Sequence, residues 1–422
     1  MRIAVVGGGI AGLTAARLLS AAHEVTVFEA ESWLGGHTHT HQLIVDGEQV
    51  TVDTGFIVFN DRAYPHFVSI LNRLGVESRP TSMSFSVRDD RGNLEYGGES
   101  LRSVFAQRSN LLRPSFWRLL RDILRFGREH QELLEPGDEA LGLTTYLRHR
   151  RYSDEFIEQY ARPIGAAIWS APPASLDRFP ARHFVRFFAH HGVLDVRHPP
   201  QWRTIVGGSA RYVAALTAPL RPRLITSTPV GRVMRRADHV AVVTAAGDEA
   251  RFDRVVIAAH SDQALAMLDS PTEQELQILG SIPYQANQVT LHCDTAVMPR
   301  RRAAWSSWNS WMPPNSGERV IVTYWMNLLQ GLTCKRALLV SLNAAERIDP
   351  QTVLATMNYH HPVYTRSTLD AQARWNEIDG RDRVHYCGAY WGYGFHEDGV
   401  DSALAVTARF GIGLEALRGQ AT

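Results

Sequence analysis

Residues Arg2 to Val6 form a short apolar run of the kind buried on both faces of a parallel sheet, and they lead directly into Gly7-Gly8-Gly9-Ile10-Ala11-Gly12. Small and apolar residues then continue at helical spacing from Ala11 to Ala21, with Leu13, Ala16, Leu18 and Leu19 on the inner side. A second strand, Val25 to Phe28, ends in Glu29. Strand, glycine turn, helix, strand and acid in that order describe a dinucleotide-binding unit. Gly7 permits the tight turn, Gly9 lets backbone approach a pyrophosphate, and Gly12 lets helix and strand pack closely. The helix N-terminus at Ile10 and Ala11 turns free N–H groups and a positive dipole end toward the phosphates. Glu29, 17 residues beyond Gly12 and followed by Ala30, is placed to accept hydrogen bonds from a ribose diol. An acid there disfavours a 2′-phosphate but does not separate NAD from FAD.

Further along, Ser115 to Glu129 sets Phe116, Leu119, Leu120, Ile123 and Leu124 on one stripe and Arg118, Arg121, Arg125 and Arg128 on the other. Such a helix either lies on an anionic membrane surface or packs in a core with a solvated arginine face. A second stretch is dense in aromatic rings: Trp305, Trp308, Trp311, Tyr324 and Trp325 fall within twenty-one residues. His37, His39 and His41 alternate, yet no acid or cysteine partner stands nearby in sequence, so no metal is expected.

The chain has 422 residues, enough for two to three domains or two lobes built from an interrupted chain. Apolar residues at 45% and charged residues at 21% argue against disorder and against a coiled-coil rod. A net charge of +1 gives no basic field to attract nucleic acid. The only lysine is Lys335. Cys293, Cys334 and Cys387 form no CxxC pair, which points to a reducing compartment, the cytoplasm. No apolar run reaches the roughly 18 residues that span a bilayer. A soluble protein, or one lying at the membrane face, is expected.

Beyond Glu29, the pair Gly35-Gly36 precedes His37-Thr38, and Asp53-Thr54-Gly55-Phe56 follows. Val206-Gly207-Gly208-Ser209, Thr228-Pro229-Val230-Gly231, Gly388-Ala389 and Gly399-Val400-Asp401-Ser402 complete a scattered set. With the glycine fingerprint, these segments, apart from Asp53 to Phe56, resemble the flavin-containing amine oxidase and carotenoid desaturase superfamily. More narrowly, with Gly35 to Thr38, Asp53 to Phe56, Ile164 to Ser170 and Val322 to Asn327, the chain is similar to bacterial FAD-binding proteins akin to the N-terminal part of plant cyclopropane fatty acid synthases.

The resemblance implies an α/β fold. A Rossmann-like FAD-binding domain with a parallel sheet would be assembled from 1–76, 201–269 and 374–422. An α+β substrate domain would be assembled from 77–200 and 270–373. It implies FAD held by Gly7, Gly9, Ile10, Ala11, Gly12, Glu29, Ala30, Gly35, Gly36, His37, Thr38, Gly55, Phe56, Val230, Gly388, Gly399 and Val400. In the family the last helix, read here as opening at Gly399, points its N-terminus at the flavin's pyrimidine edge, where its dipole stabilises charge gained on reduction.

Trp305, Tyr324, Trp325 and Tyr393 are expected to wall the substrate. His396 is the expected base, with Glu397 orienting it. His37 stands where many amine oxidases carry an arginine, and Asn287 and Gln288 stand on the strand where many carry a lysine beside the flavin. Phe395-His396-Glu397 replaces the second tyrosine of an aromatic cage. The resemblance leaves four readings open: oxidation or desaturation of an acyl chain, amine oxidation, FAD-dependent isomerisation, and an FAD-bound non-catalytic partner of a lipid methyltransferase.

Overall fold

The computed structural model describes residues 1–129, 141–169, 176–177, 179–192, 200–220, 223–314 and 320–417. Ser170, quoted above, lies outside them. The opening strand Arg2–Val6 is the centre of a five-stranded, wholly parallel sheet in the order Leu224–Ile225, Glu24–Phe28, Arg2–Val6, Arg254–Ile257, Val384–Tyr386. Ile3, Ala4 and Val5 are fully buried, because both faces of this sheet are covered. On one face the helices Ile10–Leu19 and His396–Ala408 contribute Leu13, Leu18, Val400 and Val406. On the other, Val240, Val242 and Phe252 come from a three-stranded antiparallel sheet.

A seven-stranded sheet forms the second body, in the order Val353–Pro362, Tyr284–His292, Leu339–Leu342, Ile321–Trp325, Trp308–Met312, Phe85–Asp89, Leu94–Gly97. Every pairing is antiparallel except that of Trp308–Met312 with Phe85–Asp89. Helical residues Phe116, Phe126, Phe156 and Phe184 pack with its Val87 and Tyr96.

The arginine helix spans Pro114–Glu129 and turns Phe116 and Leu119 into that core. Its inner face departs from the expected stripe in two places. Leu124 is 55% exposed, whereas Asp122 is fully buried. Asp122 accepts a hydrogen bond from the Ser153 backbone N–H at 2.9 Å, so an acid takes an inward position that apolar counting overlooks. Arg118 pairs with Glu155, and Arg125 pairs with Glu129 while lying over the Tyr152 ring. Among the described residues no helix is long and apolar enough to cross a membrane.

Candidate active site

The nucleotide turn needs its glycines for distinct reasons. Gly7 sits at φ +109°, and a Cβ there would lie 2.7 Å from the Ala258 carbonyl oxygen. At Gly12 a Cβ would collide with the Gly7 carbonyl, so this glycine serves the helix packing. Gly9 is different: its backbone is extended and a Cβ would meet no protein atom within 4 Å. The open space there belongs to a groove of about 930 Å³.

Of the residues expected to hold the cofactor, Gly7, Gly9, Ile10, Ala11, Glu29, Ala30, Gly35, Gly36, His37, Val230 and Gly388 line this groove. Gly55 and Phe56 line a neighbouring cavity instead. Gly12, Thr38, Gly399 and Val400 line neither. Gly399 acts through packing: a Cβ there would stand 2.8 Å from Ile10 Cγ2, so the first turns of two helices are pressed together beside the groove. Two positive helix ends therefore meet where phosphate and ring would lie. The Glu29 carboxylate accepts from Gly8 N–H at 2.6 Å and Glu31 N–H at 2.8 Å, which holds it at the groove with lone pairs to spare. Cys387 is fully buried and does not line the groove, and burial pushes its thiol pKa up.

The second cavity, of about 440 Å³, is walled by the sheet and helices of the second body together with Phe56, Tyr64 and Phe395. Met83, Phe85, Ile164, Ile168, Trp169 and Trp308 give it an apolar surface, and no Asp, Glu, Lys or Arg lines it among the described residues. Tyr324 and Tyr393 line it as expected. Trp305 and Trp325 do not. Their rings meet edge to face with centroids 5.4 Å apart, Arg302 lies over both, and they pack with Val297 and Met298. Strand parity explains the division. Trp308 faces Tyr324 across the strands, so adjacent Trp325 points to the opposite side. Parity was the sequence signal that could have found Trp308; Trp169 and Phe187, on helices, gave none.

Groove and cavity meet along His37, His361, Pro362, Gly394, Phe395 and His396, which line both. Burial and the neighbouring rings of His260 and His360 push the His37 pKa down to about 3, so it is a neutral imidazole. Burial does the same to His361.

A model of flavin-containing amine oxidoreductases matches residues 10–409. The chain belongs to that family. A Mycobacterium tuberculosis protein named as a flavin-containing monoamine oxidase, AofH, is 28% identical over 296 residues, 66% of this chain. The chain spans 61% of that relative's length. A putrescine oxidase variant superposes with a TM-score of 0.69 at 15% identity, covering 97% of this chain and 99% of its own. A CLA-producing fatty acid isomerase from P. acnes gives 0.63 at 16%, covering 97% and 98%.

The family's cofactor is a flavin, and the groove fits FAD. It has an open glycine backbone at Gly9, two converging helix N-termini, an acid at the ribose position, and an end that opens onto a second, apolar cavity.

The pair expected to act on protons is arranged otherwise. The last helix begins at His396, three residues before the expected Gly399, which draws both side chains into packing. His396 stacks on Phe56 with centroids 3.5 Å apart, and its Nε2 lies 3.0 Å from both Thr38 Oγ1 and Tyr212 Oη. Burial holds its pKa well below the ordinary histidine range. With Nε2 engaged and basicity lowered, it is a wall of the junction and a poor base. Glu397 does not orient it. Its carboxylate accepts from the backbone N–H groups of His66 at 2.8 Å and Phe67 at 2.9 Å, capping the helix Pro65–Leu74. His39 stacks on Trp33 with centroids 4.3 Å apart, and the His41 ring lies tilted against it at 4.2 Å.

Proposed function

We propose that this chain is an FAD-dependent oxidoreductase that oxidises an apolar substrate, a lipid acyl chain, lying in the aromatic cavity. FAD supplies the hydride acceptor. The observation that carries the reading is the cavity wall: it is aromatic and aliphatic, reaches the groove, and has no charged side chain among the described residues. A protonated amine entering it would lose water and find no counter-charge, at a cost of several kcal/mol. An acyl chain loses nothing by the same move and gains its apolar burial. Trp169, Trp308 and Tyr324 would hold the reacting carbon against the junction, and the packed Phe56–His396 pair would close off water from one side.

The fold likeness to a fatty acid isomerase favours a second reading, redox-neutral movement of a double bond in the same kind of chain. One experiment separates the readings. The purified holoprotein is mixed anaerobically with extracted lipids, and separately with a panel of amines, while the oxidised flavin absorbance is followed. Bleaching by lipid alone supports acyl oxidation. Unchanged lipid mass with a shifted double bond supports isomerisation. Bleaching by amines alone overturns both, and an unaltered flavin with lipid and amine both chemically unchanged supports the non-catalytic methyltransferase partner.

A further inference from the structure

His361 stands at the junction on the strand Val353–Pro362, and two side-chain amides behind it determine which of its nitrogens carries the proton. The chain of bonds begins at backbone. Gln288 N–H donates to Asn343 Oδ1 at 3.0 Å, and a backbone N–H can only donate, so the Asn343 amide is oriented with its nitrogen outward. That nitrogen donates to Asn287 Oδ1 at 2.7 Å. Asn287 is fully buried, and its Nδ2 donates to the Gln285 carbonyl at 3.4 Å and to His361 Nδ1 at 2.9 Å. Two backbone groups, an N–H at one end and a carbonyl in the middle, agree on the same polarity. His361 Nδ1 is therefore an acceptor, and in a neutral imidazole the proton must then sit on Nε2. Burial keeps the ring neutral. Nε2 meets no acceptor among the described residues.

We propose that the Asn343–Asn287 relay holds His361 as a permanent neutral donor, its Nε2–H offered to the flavin ring where ring and substrate meet. Asn287 and Asn343 are positioning residues: they touch neither cavity and act by fixing the tautomer. A neutral donor aimed at a ring that gains negative charge on reduction favours the reduced state, and it does so without a proton leaving the histidine. The inference rests on FAD occupying the groove and is indifferent to whether the substrate is an acyl chain.

Two measurements test it. In holoprotein labelled with ¹⁵N-histidine, the signal lost in His361→Gln identifies this ring, and it should report a protonated Nε2 and bare Nδ1. Asn287→Asp supplies an acceptor only, so Nδ1 should become protonated. A ring with Nδ1 already protonated in the parent protein, or one that Asn287→Asp leaves unaltered, overturns the relay. The second readout is the flavin midpoint potential by dye equilibration, which needs no substrate. His361→Phe should shift the reduction equilibrium about tenfold toward oxidised flavin, about 30 mV for a two-electron couple. His361→Gln, whose amide can still donate, should recover much of it. Equal potentials in all three proteins overturn the proposal. A shifted potential in a protein that no lipid bleaches would leave this inference standing while the acyl-chain reading falls.

Discussion

Gly9→Ala separates cofactor binding from folding. The backbone at Gly9 is extended, φ −76° and ψ −179°, so an L residue fits without strain, and the added methyl would touch no protein atom within 4 Å. The methyl instead enters the groove and holds the nearest phosphate away from the turn. Losing one hydrogen bond to a charged group is worth about 1.5 to 3 kcal/mol, which weakens flavin binding by roughly one to two orders of magnitude. Gly12→Ala is the opposite control, because its methyl collides with the Gly7 carbonyl and crowds Ala258, an overpacking cost of about 1 to 3 kcal/mol in the fold itself. Urea unfolding of the two apoproteins, paired with titration of each by FAD, reads both effects, and using apoproteins removes the stabilisation that bound ligand confers. The expected result is an unchanged unfolding midpoint with weakened FAD affinity for Gly9→Ala, and a lowered midpoint for Gly12→Ala. Wild-type affinity in Gly9→Ala would mean that no phosphate approaches this turn.

Asp398 in the last helix has its pKa pushed up to about 7 by burial, reinforced by the Asp401 and Glu397 carboxylates, from 3.8 in the free side chain. The folded state therefore holds a proton that the unfolded state releases, so this contribution is present below about pH 4 and is lost as pH rises through 7. Urea unfolding at pH 5 and pH 8 should show a larger fall for the parent protein than for Asp398→Asn. Glu397→Ala should cost about 1 kcal/mol by uncapping the helix Pro65–Leu74, with little change in the flavin reduction rate measured by stopped flow. Trp308→Ala should raise KM for the substrate. Trp305→Ala should lower the melting temperature and leave KM unchanged, since only the first ring lines the cavity.

The nucleotide half of the site was legible because its chemistry is local. A turn, a helix end and an acid lie within thirty residues, and each glycine's role follows from its place in the turn. Gly399 was also legible as a motif, although its contribution is a close helix contact that only three dimensions reveal. The junction of groove and cavity was harder to read for a physical reason. His361 and Asn287 meet diagonally across two strands whose register pairs Asn287 with Tyr359, and nothing within either strand announces that pairing. Glu397 was misassigned because a helix starting three residues earlier turns the acid from the flavin side to the end of another helix. Asp122 shows the same limit: a buried acid held by the distant Ser153 backbone N–H and by the adjacent Arg121 breaks an otherwise apolar stripe.

The close approach of Gly399 to Ile10 bears on biosynthesis. The glycine loop is translated well before the helix that presses on it and the outer strand Val384–Tyr386, both of which come from the far end of the fold. A nascent chain thus carries a glycine loop that this helix does not brace until residues 396–408 have been made. A premature stop before His396 would remove that brace even though every residue of the fingerprint had been made.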